Sequence, residues 1–403
     1  MATESPSLGD VIELTTERIA YGGEAVGRFH GLAVFVPLAA PGERLRVRIT
    51  ERRPRYARAV IEEVVNSSPL RREPRCPHFG DCGGCQLQHL TYEAQLEAKT
   101  QFVREALARI GHLDWPHPIE IRSAAEFGYR DRAQVRIEKP SPEARVRAGF
   151  NRAQSHSVCD VSTCPLLVPE LDSIFDALRA ALGALSAEAR PREADVAAGS
   201  NGEFVEPELP GLRAGIVRRE VLGASFISSP AVFFQANRLL LDELVKEAVG
   251  GAAGELAVDL YAGVGLFTIP LARQFARVIG VESDDRAASF ARKNISINEA
   301  GNARLFNLRV EDWLKNAERR PDLLSGAPDL VLLDPPRQGA AAAVDGIASL
   351  KPKLITYVSC DPNTLARDVA KLVGRGYEIS QIIAFDLFPQ TYHVEAIASL
   401  RLR

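Results

Sequence analysis

A single thiol stands where the sequence predicts that a strand ends and a helix begins. The apolar, β-branched run 354–358 predicts the strand, and Asp361 followed by Pro362 is typical of a helix cap and a first helical residue. Cys360 should therefore lie in the turn, where the positive end of the helix dipole favours the thiolate, the nucleophilic form of cysteine. The alternative is that Cys360 is a small apolar residue that only fills the turn.

A glycine-containing turn follows another predicted strand, at 257–261. Gly263 and Gly265 allow a nucleotide-like ligand to approach the backbone, and the next predicted strand ends in Glu282, placed to bind ribose hydroxyls. A dinucleotide fingerprint would need a third glycine, which is missing at the expected place. The Asp-x-Tyr-x-Gly-x-Gly pattern that begins at Asp259 instead resembles the first motif of S-adenosylmethionine-dependent methyltransferases.

Two more acidic residues should reach the same place. The buried-strand pattern 329–333 ends at Asp334, and ligands of open parallel sheets gather at the carboxyl ends of the strands. If the last strand, at about 394–402, runs antiparallel, its first residues also lie at that edge. Glu395 would then face the same pocket as Cys360.

A methyl donor, a thiolate and a carboxylate together suggest methylation of a carbon that is not nucleophilic by itself. C5 of uracil is such a carbon, because the ring is electron-poor until a nucleophile adds at C6. The Cys360 thiolate could add there, C5 could take the methyl group, and Glu395 could remove the surplus C5 proton.

Cysteines cluster in a second region. Cys76, Cys82 and Cys85 follow a Cys-x5-Cys-x2-Cys spacing, and either Cys159 or Cys164 could supply a fourth ligand. Four thiolates suit tetrahedral zinc or a four-iron cluster, and the spacing alone does not choose between them.

Short alternating apolar runs with turn signals at 10–65 predict a small β-barrel. Residues 27–42, with Phe35-Val36-Pro37 and Pro41-Gly42-Glu43, resemble the TRAM domain, an OB-like module of RNA-modifying enzymes. One predicted strand and its turn are rich in arginine, which fits nucleic-acid binding or a solvated face. These arginines are Arg44, Arg46, Arg48, Arg52, Arg53, Arg55 and Arg58.

Between the barrel and the α/β region, residues 92–110 predict an amphipathic helix that could pack on the catalytic domain, and 186–215 are predicted to be irregular. A second basic region is either an RNA-facing surface or surface decoration. It consists of Arg130, Arg132, Arg136, Lys139, Arg145, Arg147 and Arg152.

The composition is that of a globular protein, with 46% hydrophobic and 25% charged residues. No stretch resembles a membrane span, and the acidic N-terminus does not resemble a signal peptide, so we expect a cytoplasmic protein. The net charge of −3 argues against a wholly basic surface but does not exclude a local RNA-binding patch.

Nearly the whole chain resembles the RNA uridine-C5 methyltransferase family, in particular its TRAM-bearing, iron-sulfur branch that acts on 23S ribosomal RNA. The most specific motifs are the Cys-x5-Cys-x2-Cys run, Thr163-Cys164-Pro165-Leu166-Leu167, Asp334-Pro335-Pro336-Arg337, Ser359-Cys360-Asp361-Pro362-Asn363 and His393-Val394-Glu395.

The resemblance implies that Cys360 is the nucleophile and Glu395 the base. It assigns S-adenosylmethionine binding to Gln235, Tyr261, Glu282 and Asp334, and a [4Fe-4S] cluster to Cys76, Cys82, Cys85 and Cys164, which leaves Cys159 free. It also implies a target uridine flipped out of its RNA, and a monomeric enzyme.

The expected architecture is a multi-domain α/β protein. It has an OB-like TRAM barrel at 1–66, a central α+β domain with the iron-sulfur site at 67–230, and a Rossmann-like S-adenosylmethionine-dependent methyltransferase domain at 231–403. The alternatives are the same chemistry on transfer RNA, a cytosine-C5 enzyme, a non-catalytic RNA-binding or assembly protein, and an iron-sulfur oxidoreductase.

Overall fold

The computed structural model describes residues 6–138, 145–186, 188–319, 324 and 326–403. Lys139 of the second basic region, the first residues of the N-terminus and residue 187 of the stretch predicted to be irregular lie outside these ranges. Among the described residues, no helix combines the length and the apolar character needed to cross a bilayer.

The N-terminal strands close into a five-stranded barrel in the order β1-β2-β3-β5-β4, which confirms the predicted small barrel. Buried and exposed residues alternate along β1 and β4, so one apolar face of each strand fills the interior. The strands are β1 (Val11–Ile19), β2 (Ala25–Phe29), β3 (Leu32–Val36), β4 (Arg44–Arg52) and β5 (Tyr56–Asn66).

The predicted helix at 92–110 is present as α1 (Tyr92–Arg109). Thr91 caps it, because its side chain accepts a hydrogen bond from the Ala94 amide. The following short strand, β6 (Glu120–Arg122), joins the edge of the C-terminal sheet.

The middle of the chain forms a five-stranded antiparallel sheet in the order β11-β10-β7-β8-β9, covered by helix α2. A separate hairpin, β12-β13, follows it. The elements are β7 (Arg132–Glu138), β8 (Arg147–Asn151), β9 (Val158–Asp160), a 3₁₀ turn (Pro169–Leu171), α2 (Ile174–Gly183), β10 (Glu193–Gly199), β11 (Gly202–Glu206), β12 (Val217–Val221) and β13 (Ala224–Ser228).

The prediction that 186–215 is irregular is wrong for its described residues, because β10 and β11 form a hairpin there. Alanine and glycine dominate β10, and neither favours strands by itself. The strand forms because β7 pairs with β10 on the side opposite β11, so tertiary pairing outweighs local propensity.

The C-terminal region is an eight-stranded, mostly parallel sheet with helices, in the order β16-β15-β14-β17-β18-β20-β19-β6. Helix α1 packs against α8 and β19 of this region. The elements are α3 (Leu241–Val249), β14 (Gly254–Leu260), α4 (Thr268–Ala272), β15 (Phe275–Glu282), α5 (Asp285–Ile297), β16 (Ala303–Asn307), α6 (Val310–Arg319), β17 (Leu330–Leu333), α7 (Val344–Ser349), β18 (Leu354–Ser359), α8 (Pro362–Gly374), β19 (Tyr377–Phe385) and β20 (Glu395–Leu402).

Candidate active site

Three predicted donor-binding residues form a row at the carboxyl edge of the parallel sheet. Leu260 of β14 lies between its partners on β15 and β17 in the parallel registers. The next residue along each of the three chain segments is Tyr261 after β14, Glu282 at the end of β15 and Asp334 after β17. The edge is therefore built as the sequence predicted, at the place where open sheets bind ligands.

Cys360 and Glu395 meet at the same edge. Strand β20 runs antiparallel to β18, and Ser359 pairs with Ala396. Extending that register by one residue places Cys360 opposite Glu395. Opposed residues of an antiparallel pair have their Cβ atoms roughly 4.5–5.5 Å apart. At this spacing the two side chains can contact neighbouring atoms of one planar ring.

The Cys360 thiol is half-buried among acidic groups. Burial, together with the charges of Glu395 and Asp334, raises the pKa of Cys360 to about 12, although the Arg337 guanidinium opposes the shift. The free protein therefore holds this residue as a thiol at neutral pH.

The expectation that the helix dipole favours the thiolate is thus not met in the free protein. Burial of the thiol is the main reason, and the cap of α8 adds to it. The Asp361 carboxylate accepts hydrogen bonds from the amides of Asn363 (2.8 Å) and Thr364 (3.3 Å). This carboxylate occupies the free N–H groups of the helix end and adds a negative charge beside the thiol.

This environment predicts the pH dependence of Cys360 alkylation by iodoacetamide. Below its pKa, the thiolate fraction of a cysteine rises about tenfold per pH unit. Alkylation of Cys360, followed by mass spectrometry of its peptide, should therefore accelerate continuously from pH 7 to pH 9. Asp334→Asn should shift the profile to lower pH, because it removes a charge that raises the pKa. An alkylation rate of the wild-type protein that reaches a plateau below pH 8 would contradict the raised pKa of Cys360.

The Glu395 carboxyl is almost completely buried at the start of β20. Burial raises its pKa well above the ordinary value, the neighbouring Asp334 raises it further, and Arg337 opposes the shift. A carboxyl with such a raised pKa is a stronger base when ionised, and this is the property that proton abstraction requires.

The donor side of the row is held by side chains and backbone. Gln235 Nε2 lies 3.5 Å from Asp334 Oδ2, and burial raises the pKa of Asp334 to about 7. Glu282 Oε2 accepts a hydrogen bond of 2.8 Å from the Gly263 amide of the glycine turn. Tyr261 has a positive φ of 62°, an uncommon conformation for a residue with a side chain, and one that clusters at ligand sites.

The loop after β17 is fixed to helix α8 by one buried carboxylate. Asp368 Oδ2 accepts hydrogen bonds from Tyr357 Oη and the Ala340 amide, both at 2.8 Å. Gly339 has a φ of 75°, and a Cβ there would lie 2.6 Å from the same oxygen. Only glycine fits this turn, which explains the glycine that ends the Asp334-to-Gly339 motif.

Arg337 and His393 lie beside the two proposed catalytic groups. Burial, followed by the Arg337 charge, lowers the pKa of His393 to about 4, so its ring is neutral. His393 Nε2 therefore accepts from Arg337 Nη2 at 3.3 Å. Sequence analysis gave neither residue a role, although both belong to motifs that it singled out.

The barrel reaches the nucleophile turn through Tyr21, in the turn between β1 and β2. Tyr21 Oη donates to Asp361 Oδ2 at 3.2 Å, and its ring packs edge-on against Phe102 of α1 and Tyr392. Sequence reasoning missed this residue, because 340 positions separate it from Asp361 and no local pattern marks it.

The four predicted cluster cysteines come together around one cavity of about 200 Å³, whose lining includes Cys76, Cys82, Cys85 and Cys164. Cys159 does not line it; its Sγ donates to Asp81 Oδ2 at 3.3 Å. Within the part of the chain that the structure describes, no group of three or more Cys, His, Asp or Glu side chains is arranged to hold a metal ion.

Gln88 places an unused donor at this cavity. It is 1% exposed, and its Oε1 accepts from the Cys76 amide at 3.1 Å. Among the described atoms its Nε2 is buried without a hydrogen-bond partner. Gln88 lines the same cavity as Cys85, whose pKa burial raises to about 12.

Three arginines of β4 alternate on the outside of the barrel, and each of these three forms an ion pair with an acidic side chain. Arg44 pairs with Glu13 at 2.7 Å, Arg46 with Glu63 at 3.2 Å, and Arg48 with Glu62. The strand is therefore not a bare cationic face. Exposed ion pairs contribute only about 0–1 kcal/mol, so an anionic ligand can compete for these arginines.

Comparisons with known proteins agree with this architecture. Residues 7–61 match the TRAM domain, and residues 220–402 match the tRNA (Uracil-5-)-methyltransferase family. The chain is similar to the Pyrococcus abyssi tRNA (uracil-54, C5)-methyltransferase in complex with S-adenosyl-L-homocysteine, with a TM-score of 0.72 and 26% identity. That similarity covers 96% of this chain and 100% of that one.

Curated relatives match over almost the full length. The 23S rRNA (uracil(1939)-C(5))-methyltransferase RlmD of Cronobacter sakazakii is 32% identical, covering 96% of this chain and 96% of that protein. The enzyme of the same name from Salmonella typhi is 34% identical, covering 93% and 92%, respectively. The chain therefore belongs to the RNA uridine-C5 methyltransferase family.

Proposed function

We propose that this enzyme transfers a methyl group from S-adenosylmethionine to C5 of a uridine in 23S ribosomal RNA. The observation that carries the chemistry is the register that sets Cys360 opposite Glu395, beside the row of donor-binding residues. A thiol and a carboxyl facing each other across a small gap can act on neighbouring atoms of one pyrimidine ring.

The residues act in sequence on the ring. The Cys360 thiol releases its proton to solvent water, and its sulfur adds to C6, which moves the electron pair of the C5–C6 double bond toward C5 and O4. C5 then takes the methyl group that S-adenosylmethionine supplies. Glu395 removes the remaining C5 proton, the double bond re-forms, and the sulfur leaves C6.

The proposed donor site uses the row at the sheet edge. Gln235 and Asp334 would bind one end of S-adenosylmethionine, while Tyr261 and Glu282 would bind the nucleoside. Glu282 Oε2 already accepts from the Gly263 amide, so the same carboxylate shapes the glycine turn and leaves further lone pairs for ribose hydroxyls.

Glu282→Gln should weaken S-adenosylhomocysteine binding by roughly 10- to 100-fold, because a hydrogen bond to a charged group contributes about 1.5–3 kcal/mol. Isothermal titration calorimetry measures this directly. Glu255→Gln is the matched control. Glu255 lies near the start of β14, at the end of the strand opposite the proposed donor site, so its replacement should leave S-adenosylhomocysteine binding unchanged. Equal binding by Glu282→Gln and wild type would remove Glu282 from the proposed site.

Ribosomal RNA is favoured as the substrate by the full-length relatives at 32% and 34% identity. Transfer RNA is the second candidate, because the matched family and the similar archaeal structure are named for it. The barrel does not discriminate between them, since the similarity to that archaeal enzyme extends over 96% of this chain.

The substrate test is to incubate the enzyme with labelled S-adenosylmethionine and, separately, unmodified 23S ribosomal RNA and transfer RNA. Mass spectrometry then maps 5-methyluridine. Label in ribosomal RNA supports the proposal. Label only in transfer RNA retains the chemistry and replaces the substrate, and no 5-methyluridine in either RNA, from protein that binds the donor, overturns both assignments.

A [4Fe-4S] cluster held by Cys76, Cys82, Cys85 and Cys164 is part of the proposal. The cavity volume of about 200 Å³ is several times the roughly 30 Å³ that one water molecule occupies in the liquid. The cavity therefore has room for a group larger than a single ion. The donor set is all thiol, and the unpartnered Gln88 Nε2 fits an electron-rich sulfur acceptor. Such a group would cross-link the backbone segments that carry these four cysteines, and no step of methyl transfer uses it.

Cys85→Ser should abolish most iron and sulfide binding, because one of the four thiolates is lost. Iron and acid-labile sulfide analysis with visible absorption of anaerobically purified protein measures the effect. Cys159→Ser is the control. Cys159 is hydrogen-bonded to Asp81 rather than facing the cavity, so this variant should bind as much iron and sulfide as the wild-type protein. Zinc in place of iron in the wild-type protein, or full iron loading of Cys85→Ser, would refute the assignment.

A further inference from the structure

The connection between β19 and β20 is an irregular segment, residues 386–394, most of whose side chains are buried. It leads directly into β20, whose first residue is Glu395. Asp386 and Gln390 are fully buried, and Gln390 has a φ of 71°. Without a helix or strand to hold it, this segment depends on the hydrogen bonds made to it from other parts of the chain.

Gln390 is the point where these parts meet. Its carbonyl accepts hydrogen bonds from the amides of Gln86 (3.0 Å) and Leu87 (2.9 Å), which directly follow Cys85. Its own amide donates to Gln95 Oε1 of α1 at 3.0 Å. One residue thereby joins helix α1 and the loop that carries Cys76, Cys82 and Cys85, called the cysteine loop below, to the segment before Glu395.

The Gln390 side chain adds three more bonds. Its Oε1 accepts from Gln95 Nε2 (3.0 Å) and from Arg72 Nη2 (3.2 Å), and its Nε2 donates to Glu126 Oε2 (2.9 Å). Arg72 lies in the connector between the barrel and the cysteine loop. All donors and acceptors of Gln390 are therefore directed to elements outside its own segment.

The remainder of the segment is held in the same way. Lys99 of α1 donates to the Asp386 carboxylate and to the Phe388 carbonyl (2.9 Å), and Tyr129 Oη donates to the Pro389 carbonyl at 3.1 Å. These bonds fix the backbone over several consecutive residues. A buried network of this kind specifies one conformation, because each unpaired member would be costly.

We infer that Gln390 is a positioning residue for the proposed base, through which the cysteine loop, helix α1 and the connector hold the start of β20 and the Glu395 carboxyl in place. The inference rests on the proposed roles of Cys360 and Glu395. It gives the cysteine loop a function in the proton-removal step that requires no redox chemistry.

The test uses Gln390→Met in the full-length, cluster-loaded enzyme. Methionine keeps the size and all three backbone bonds, while each former side-chain partner retains another bond: Gln95 Nε2 to Leu90, and Arg72 to Glu126. Tyr129→Phe is a second, milder variant of the same network. Tyr377→Phe is the control, because it removes one buried bond at the far end of β19.

The discriminating readout is the covalent protein–RNA adduct on ordinary uridine RNA, quantified by denaturing gel. If the base is displaced, proton removal slows while thiol addition and methylation continue. Gln390→Met should then accumulate roughly tenfold or more adduct than wild type, and Tyr129→Phe a smaller excess, with unchanged S-adenosylhomocysteine affinity. Tyr377→Phe should accumulate none.

Activity that falls with thermal stability but without adduct, or activity that does not change, would make Gln390 merely structural and overturn the inference. Glu395→Gln serves as the reference in the same gel. If that reference accumulates adduct and the Gln390 variants do not, only the inference fails. If the reference accumulates none, the proposed base fails, and the inference fails with it.

Discussion

Replacing Cys360 by alanine is expected to abolish methyl transfer, with a loss of roughly ten-thousandfold or more. Without the sulfur no covalent bond to C6 forms, and C5 stays too electron-poor to attack a methyl group. Donor affinity should remain close to that of wild type, because the proposed donor residues lie on β14, β15 and β17 and the segment before α3. Transfer of label from S-adenosylmethionine to RNA measures the loss.

The matched control is Cys159→Ala. Both residues are thiols, but Cys159 is buried, is hydrogen-bonded to Asp81 and lies outside both the sheet edge and the cysteine cavity. It should retain near wild-type activity. A wild-type rate of methyl transfer by Cys360→Ala, or a covalent protein–RNA adduct that still forms in this variant, would show that the thiol is not the nucleophile.

Local patterns were sufficient to predict the sheet edge. A buried strand followed by a polar residue repeats at Tyr261, Glu282, Asp334 and Cys360, and parallel strands must end at one side. The placement of Glu395 at this edge also required that β20 run antiparallel to the other strands. Its antiparallel pairing with β18 brings Glu395 to the same edge, as the sequence analysis expected if the last strand turned back.

Contacts between distant parts of the chain were beyond sequence reasoning. Tyr21 and Asp361 come from the barrel and the catalytic turn, and nothing in either local pattern points to the other. The same holds for Gln390, whose partners lie near residues 72, 86, 95 and 126. The proposed domain boundaries at 66/67 and 230/231 remain predictions, while β6 and α1 pack with the C-terminal sheet.

The charge environment of Cys360 was also not predictable, because it depends on burial. A helix cap alone favours a thiolate, whereas two nearby carboxyls and burial raise the thiol pKa to about 12. The consequence is that the free enzyme protects its nucleophile from alkylation and oxidation. We therefore expect activation of the thiol to accompany substrate binding.

Glu395→Gln should stop the reaction after methyl transfer and leave the enzyme covalently attached to RNA. The amide keeps the size and burial of the side chain but cannot accept the C5 proton, so the sulfur cannot leave C6. Turnover should fall by roughly 10²- to 10⁴-fold, the range for loss of a general base. Addition and methylation do not need this carboxyl, and removal of its charge lowers the pKa of Cys360 and favours addition.

The decisive measurement is mass spectrometry of the protein–RNA adduct formed by Glu395→Gln. A mass that includes the RNA and one methyl group places the block after methyl transfer and identifies Glu395 as the base. Glu378→Gln, at the remote end of β19, is the matched control and should turn over normally without adduct. An adduct without the methyl group would move the role of Glu395 to an earlier step. Normal turnover of Glu395→Gln would assign proton removal to a different group at this edge, such as Asp334 or the neutral His393.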